Sequence, residues 1–187
     1  MNMTRLDRLI QRWRISRASR FISDSARVLD IGCADGSLFR TLTFLRDGIG
    51  IDPDLQTNVC LENATLIAGF FPADLPDRRG FNVITMLAVL EHIPTSEQAS
   101  LAGNCFQCLE LGGQLIITVP SPLVDKILAV LKSLGLVHGM KTDQHYGYDV
   151  KLTPGLFKSA GFALVQSKRF QLGLNNLFVF ARPFPSA

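Results

Sequence analysis

Short apolar runs alternate along this chain with segments of helical spacing, and the order of the two kinds fixes an architecture. A helix comes first, and strands near 27–31, 48–51, 65–68, 82–88 and 113–119 then alternate with helices, which predicts a parallel sheet with right-handed crossovers. Two later runs, 162–168 and 174–182, are separated only by a polar turn around Gln171 to Asn175. That turn is too short for a parallel crossover, so the pair is predicted to form an antiparallel hairpin. The run from Thr95 to Leu111 reads as a helix, with Thr95 capping it, Gln98 three residues on, and Gly112 after its end. Residues 1–22 read as a basic amphipathic helix, with Thr4 and Asp7 as a capping pair and Leu6, Leu9, Ile10 and Trp13 as an apolar stripe. Between the fifth strand and the last helix lies an insertion, 121–150, carrying Leu123, Val124, Ile127, Leu128, Leu131 and Leu134 at helical spacing, with Gly135 as a stop. It reads either as a lid over an apolar acceptor or as core packing or a dimer face.

At 187 residues, 47% apolar and with a mean hydropathy of +0.22, the chain suits one core, and 1–187 is expected to be a single domain. No run reaches the ~18 apolar residues of a membrane span, and no cleavable leader pattern opens the chain, so a cytoplasmic location is expected. The net charge of +3 is uneven: residues 1–20 hold six arginines against Asp7, a balance of +5 that leaves the remainder at −2. The arginines read as the solvated face of a docked helix or as an attraction for an anionic acceptor, RNA or phospholipid surface. Trp13 alone is thin support for RNA stacking. Four cysteines, at 33, 60, 105 and 108, do not make a disulfide framework. The Cys105-x-x-Cys108 pair falls on one helix face with Leu101 and Leu109, which reads as packing, and no second Cys/His cluster supplies further metal ligands, so no metal is expected.

The candidate chemistry lies at Val28-Leu29-Asp30-Ile31-Gly32-Cys33-Ala34-Asp35-Gly36-Ser37, where an apolar strand closes on an acid and a small-residue turn opens a helix. Open α/β sheets bind nucleotides at such carboxyl ends. The next strand ends on Asp52, twenty residues past Gly32, the spacing at which these folds place an acid on ribose hydroxyls. The dinucleotide fingerprint would need glycines where Ala34 and Ser37 stand, and a P-loop would need Gly-Lys-Ser/Thr. An adenosine-bearing ligand is expected.

The D-x-G-C-x-x-G pattern resembles motif I of the class I S-adenosylmethionine-dependent methyltransferases. Gly48 to Pro53 is similar to the family's second motif, Phe81 to Pro94 to the fourth-strand motif of its small-molecule (type 11/23-like) branch, Leu111 to Pro120 to the turn and fifth strand, and Leu152-Thr153-Pro154 to Gly161-Phe162 to the last helix and its exit. The ordered set spans roughly residues 25–182. It implies a Rossmann-like, doubly wound, mostly parallel sheet of seven strands with helices on both faces, the last strand inserted between the fifth and sixth.

The same resemblance implies S-adenosylmethionine as cofactor, with S-adenosylhomocysteine as product, and a small-molecule acceptor. Asp30 or the turn Gly32, Cys33, Ala34, Asp35 and Gly36 would hold the methionine amino end, and Asp52, followed by Pro53, the ribose hydroxyls. The Gly69, Phe70, Phe71 region would hold the adenine, and Leu87 and Ala88 would lie beside the methyl. Ala34 replaces the usual middle glycine, so its φ must stay negative or bear strain. Phe70 stands where relatives often carry an acid on the adenine amino group, leaving backbone groups and stacking on Phe70 or Phe71. Asp30 and Asp52 also admit a plainer reading as helix-capping turn acids. A base is required only if the acceptor arrives protonated. His92 suits that role, or belongs to a structural turn Glu91-His92-Ile93-Pro94; His145 and Tyr146 face the same choice between acceptor site and polar loop. Glu91, His92, His145 and Tyr146 are thus the candidate acceptor-side residues, with His92 and His145 the candidate bases. Other readings are an RNA or lipid methyltransferase, a non-catalytic cofactor-binding regulator, and a homodimer.

Overall fold

The computed structural model describes residues 5–45, 47–121 and 148–185. Among these residues eight strands form one sheet: β1 Arg27–Ile31, β2 Asp47–Asp52, β3 Val59–Cys60, β4 Thr65–Ala68, β5 Phe81–Leu87, β6 Leu109–Pro120, β7 Ala163–Phe170 and β8 Asn175–Ala181. Their order is β3-β4-β2-β1-β5-β6-β8-β7. β4, β2, β1, β5 and β6 are parallel, and β8 runs antiparallel to both β6 and β7, so the expected terminal hairpin closes with its last strand inside. All seven expected strands form. The eighth, β3, is a two-residue strand antiparallel to β4, too short to leave a periodic trace in sequence.

Neighbouring residues along each strand enter opposite layers, as a pleated strand buried on both faces requires. Leu29, Ile84, Ile117 and Phe180 pack under the helices α3 (Thr95–Cys108) and α4 (Thr153–Ser159). Val28, Val83, Ile116 and Val179 pack on the other side with Ile15 and Ala18 of α1 (Arg5–Ala18) and Phe39 of α2 (Ser37–Thr41). Phe157, Phe162 and Phe180 knit the first layer with ring centroids 5.0–6.2 Å apart, in the range where aromatic pairs attract.

Several expectations need correction. Helices do not separate every strand: 53–64 and 69–80 carry turns and β3, and Pro72 and Pro76 withhold backbone donors a helix would need. α3 ends at Cys108, because Leu109 is already extended and pairs with Phe81, while Gly112 bends within β6 at φ +75. Thr95 is the first helical residue and caps nothing; Pro94 makes the turn, and Gln98 Nε2 donates to the Ile93 carbonyl at 2.9 Å. The stripe Leu9, Ile10, Trp13 is not the docked face of α1. Ile15 and Ala18 are, since Ala18 lets the helix approach the sheet closely, and Leu9 and Trp13 remain exposed. Cys105, Cys108, Leu101 and Leu109 are buried together as expected. Thr4, Gly135 and the helical stripe 123–134 lie outside the described residues.

Candidate active site

The acid-bearing strands β1 and β2 lie side by side, with Asp30 opposite Gly50 and Ile31 opposite Ile51. After β1 the chain turns sharply, with Gly32 at φ +73, Ala34 at +47 and Gly36 at +74. Ala34 therefore takes the left-handed region that its Cβ disfavours. A Cβ on Gly32 would lie 2.4 Å from Val89 Cγ2, so this glycine is required for packing as well as for its dihedral.

Most N–H groups of this turn are consumed internally. Gly32 and Cys33 donate to the Ile51 carbonyl at 2.9 and 3.4 Å, Ala34 to Asp52 Oδ2 at 2.8 Å, and Gly36 to the Cys33 carbonyl at 2.8 Å. Ser37 donates through its amide to Asp35 Oδ1 at 3.1 Å and through its hydroxyl at 2.5 Å, so the Asp35 carboxyl caps α2. What the strand ends present is acceptors. Asp52, 8% exposed, takes one backbone N–H on each oxygen, from Ala34 and from Asp54 at 2.8 Å, and keeps further lone pairs. Asp30 accepts the Thr85 hydroxyl at 2.6 Å. Burial pushes its pKa up to about 7, the Thr85 bond pulls it down, and the charge of Asp52 adds to the rise. Cys33 points inward, against the position a Gly50 Cβ would take, and burial pushes its thiol up.

Past β4, Gly69 donates to the Asp52 carbonyl at 3.2 Å, Phe70 is two-thirds exposed, and Phe71 is half-buried against the core. Asp74 Oδ2 accepts the Phe70 N–H at 2.8 Å and would lie 2.7 Å from a Cβ on Gly69. A carboxyl therefore stands at the Gly69–Phe71 corner although residue 70 is not an acid. Sequence reading missed Asp74; its only trace was an acid four residues beyond the expected position. At the end of β5, Ala88 also takes positive φ, +63, and donates to the Thr118 carbonyl at 2.9 Å. The turn Leu90–His92 follows, with Glu91 buried and His92 exposed. Tyr148 is half-buried and hydrogen-bonded to Thr153 Oγ1 at 2.8 Å; burial raises its pKa, the Thr153 bond lowers it, and the charge of Glu91 adds to the rise.

Asp30, Gly32–Gly36, Asp52 with the exposed Pro53, Gly69–Phe71 and Leu87–Ala88 thus gather at the carboxyl ends of four adjacent strands, and Glu91 and His92 follow directly. His145 and Tyr146 lie outside the described residues. Among the described residues no group of three or more His, Cys, Asp or Glu could hold a metal ion, and no helix is long and apolar enough to cross a membrane.

This sheet order is that of the class I S-adenosylmethionine-dependent methyltransferases. A family model described as a methyltransferase domain matches residues 4–167, and the chain belongs to that family. No curated protein matches the chain. Among solved structures it is similar to one from a complex between the Haloferax volcanii Trm112 methyltransferase activator and a candidate methyltransferase, with TM-score 0.71, 12% identity, and 93% of this chain and 91% of that chain covered. It is also similar to magnesium protoporphyrin IX methyltransferase from Synechocystis with bound S-adenosylhomocysteine, with TM-score 0.67, 15% identity and coverages of 97% and 89%. A third is an O-methyltransferase family protein from Burkholderia thailandensis, with TM-score 0.66, 17% identity and coverages of 96% and 57%. At these identities the likeness is one of fold. The chain is an S-adenosylmethionine-dependent methyltransferase.

Proposed function

We propose that this enzyme methylates a small-molecule acceptor by in-line displacement, with the cofactor held across the carboxyl ends of β1, β2, β4 and β5. The observation that carries the reading is the imbalance of the strand-end site. Its N–H donors at 32, 33, 34, 36 and 37 are occupied, while the carboxyls of Asp30, Asp52 and Asp74 face the same end of the sheet. Such a site suits a ligand rich in donors and positive charge, and disfavours a pyrophosphate, which needs free N–H groups. When bound, the cofactor supplies an already activated sulfonium methyl.

The residues of the chain do the rest. Asp52 accepts the ribose hydroxyls on lone pairs its two backbone donors leave open. Asp30 receives the methionine ammonium; a cation beside it favours its carboxylate, so a proton leaves near neutral pH. Phe70 offers a ring face to the adenine, and Asp74 accepts from the exocyclic amino group in place of the acid that residue 70 lacks. Leu87 and Ala88 line the reacting end and exclude water. Glu91, His92, His145 and Tyr146 form the acceptor side, where alignment supplies most of the rate and His92 or His145 takes a proton when the nucleophile carries one. Calorimetric titration with S-adenosylhomocysteine beside NADH tests the reading: micromolar binding of the first and no heat from the second is expected, and the reverse would sink it. His145→Ala should depress turnover with cofactor affinity intact; equal losses in both would remove it from the acceptor side.

A further inference from the structure

The face of α1 turned away from the sheet is not a plain solvated surface. Leu9 is 57% exposed and Trp13, one turn on, is 51% exposed. Arg12 stands beside Trp13, and Arg20 lies in the short 3-10 turn that follows α1, both exposed. The turn between β7 and β8 adjoins this helix. Its tip, Leu172, is 99% exposed and held at φ +55, a conformation that leucine pays for and that the fold gains no burial from. The turn is braced against the helix: Gln171 Nε2 donates to the Ile10 carbonyl at 3.4 Å, Asn175 Nδ2 donates to Gln171 Oε1, and Arg14 Nε donates to Asn175 Oδ1 at 3.2 Å. Ser121, at the end of β6, donates to the Leu174 carbonyl at 2.8 Å, so the turn sits at the same end of the sheet as the cofactor site.

We propose that the outer face of α1 and the β7–β8 turn form a docking surface for an anionic phospholipid bilayer. Charge complementarity selects this occupant. The first 20 residues carry +5 while the remainder carries −2, so an anionic plane attracts this end of the molecule and repels the rest. Two leucines and an indole suit the boundary between headgroups and acyl chains, with arginines pairing to lipid phosphates. RNA would pair with the arginines but has no use for Leu9 and Leu172, which offer no ring to stack a base. A second copy would bring the same arginines against themselves across an isologous interface.

Trp13 is the sole tryptophan, so the fluorescence of the full chain reports on this face alone. Vesicles of phosphatidylcholine with a quarter phosphatidylglycerol should shift Trp13 emission to the blue and expose it to quenching by brominated acyl chains. Pure phosphatidylcholine should bind at least tenfold more weakly, as should Arg12→Glu/Arg20→Glu on the anionic vesicles, and binding should fall as salt rises. Leu172→Asn keeps the fold, because asparagine tolerates the left-handed region, and should weaken binding several-fold. No shift on anionic vesicles, equal binding to neutral ones, or wild-type binding by both variants would overturn the proposal. So would a shift produced by single-stranded RNA and not by vesicles, or by protein concentration alone with a dimer in light scattering.

Discussion

Asp30 and Asp52 lie near the carboxyl ends of adjacent parallel strands and are both nearly hidden from solvent, 4% and 8% exposed, yet their surroundings put them to different uses. Asp52 is a bracket. Its two oxygens each take a backbone N–H, one from the turn after β1 and one from its own loop, so it holds two loops at a fixed spacing. Asp30 is bonded across the sheet to one hydroxyl and lies in a drier place, where burial keeps its proton to about pH 7. A shared residue type near a shared strand end therefore says little about the role each acid plays. For Asp30, burial raises the pKa and the Thr85 hydroxyl offsets only part of that rise.

Substitutions can break that contrast. Asp52→Ala should raise the dissociation constant of S-adenosylhomocysteine at least a hundredfold in calorimetry. It should also cost about 2–3 kcal/mol in denaturant unfolding, since the Ala34 and Asp54 amides lose their partner. A stability loss with affinity intact would leave Asp52 a bracket only. Asp30 predicts a pH dependence with a definite sign. Its native pKa of about 7 lies above the ordinary 3.8, so between those values the unfolded chain releases a proton that the native state retains. The native state then loses roughly 2–4 kcal/mol as pH rises from 4 to 7 and levels off above, and all of this contribution is present below pH 4. Asp30→Asn should flatten that slope in thermal melts and leave the protein more stable than wild type at pH 8, while weakening cofactor binding. A slope unchanged in the variant would assign it to other groups.

Smaller effects sharpen the picture. Wild type should prefer the adenosyl cofactor product over its inosyl analogue, and Asp74→Asn should shrink that preference about tenfold. If both bind and the preference persists, Asp74 only braces its turn. Thr85→Val removes the hydroxyl that lowers the Asp30 pKa, so the inflection of the stability profile should move above pH 7, with a loss of about 1 kcal/mol.

The parallel strands were legible because strands buried on both faces are short apolar runs closed by turn residues, as at Val28–Ile31 and Phe81–Leu87. Asp30 and Asp52 were legible because their spacing survives in one dimension. Other features left no such trace. Left-handed dihedrals at Gly32 and Gly36 follow from residue type, but those at Ala34, Ala88 and Leu172 are imposed by neighbours. The docked face of α1 was misread because apolar bulk at Leu9 and Trp13 outweighs Ala18 in any periodicity, whereas close approach to the sheet rewards the smaller side chain. Asp74 reaches the corner beside Asp52 through a loop with no period at all.

The place of β8 between β6 and β7 has a consequence for synthesis. It is the last of the eight strands to be made, and it forms ladders with both neighbours. Until it emerges from the ribosome, β6 has an open edge, β7 has nothing to pair with, and the aromatic layer lacks Phe178 and Phe180. The nascent chain therefore cannot assemble by stepwise addition along the sheet; this half closes in one late event. A stop codon ahead of Asn175 should thus yield aggregation or degradation, and not a shorter working enzyme.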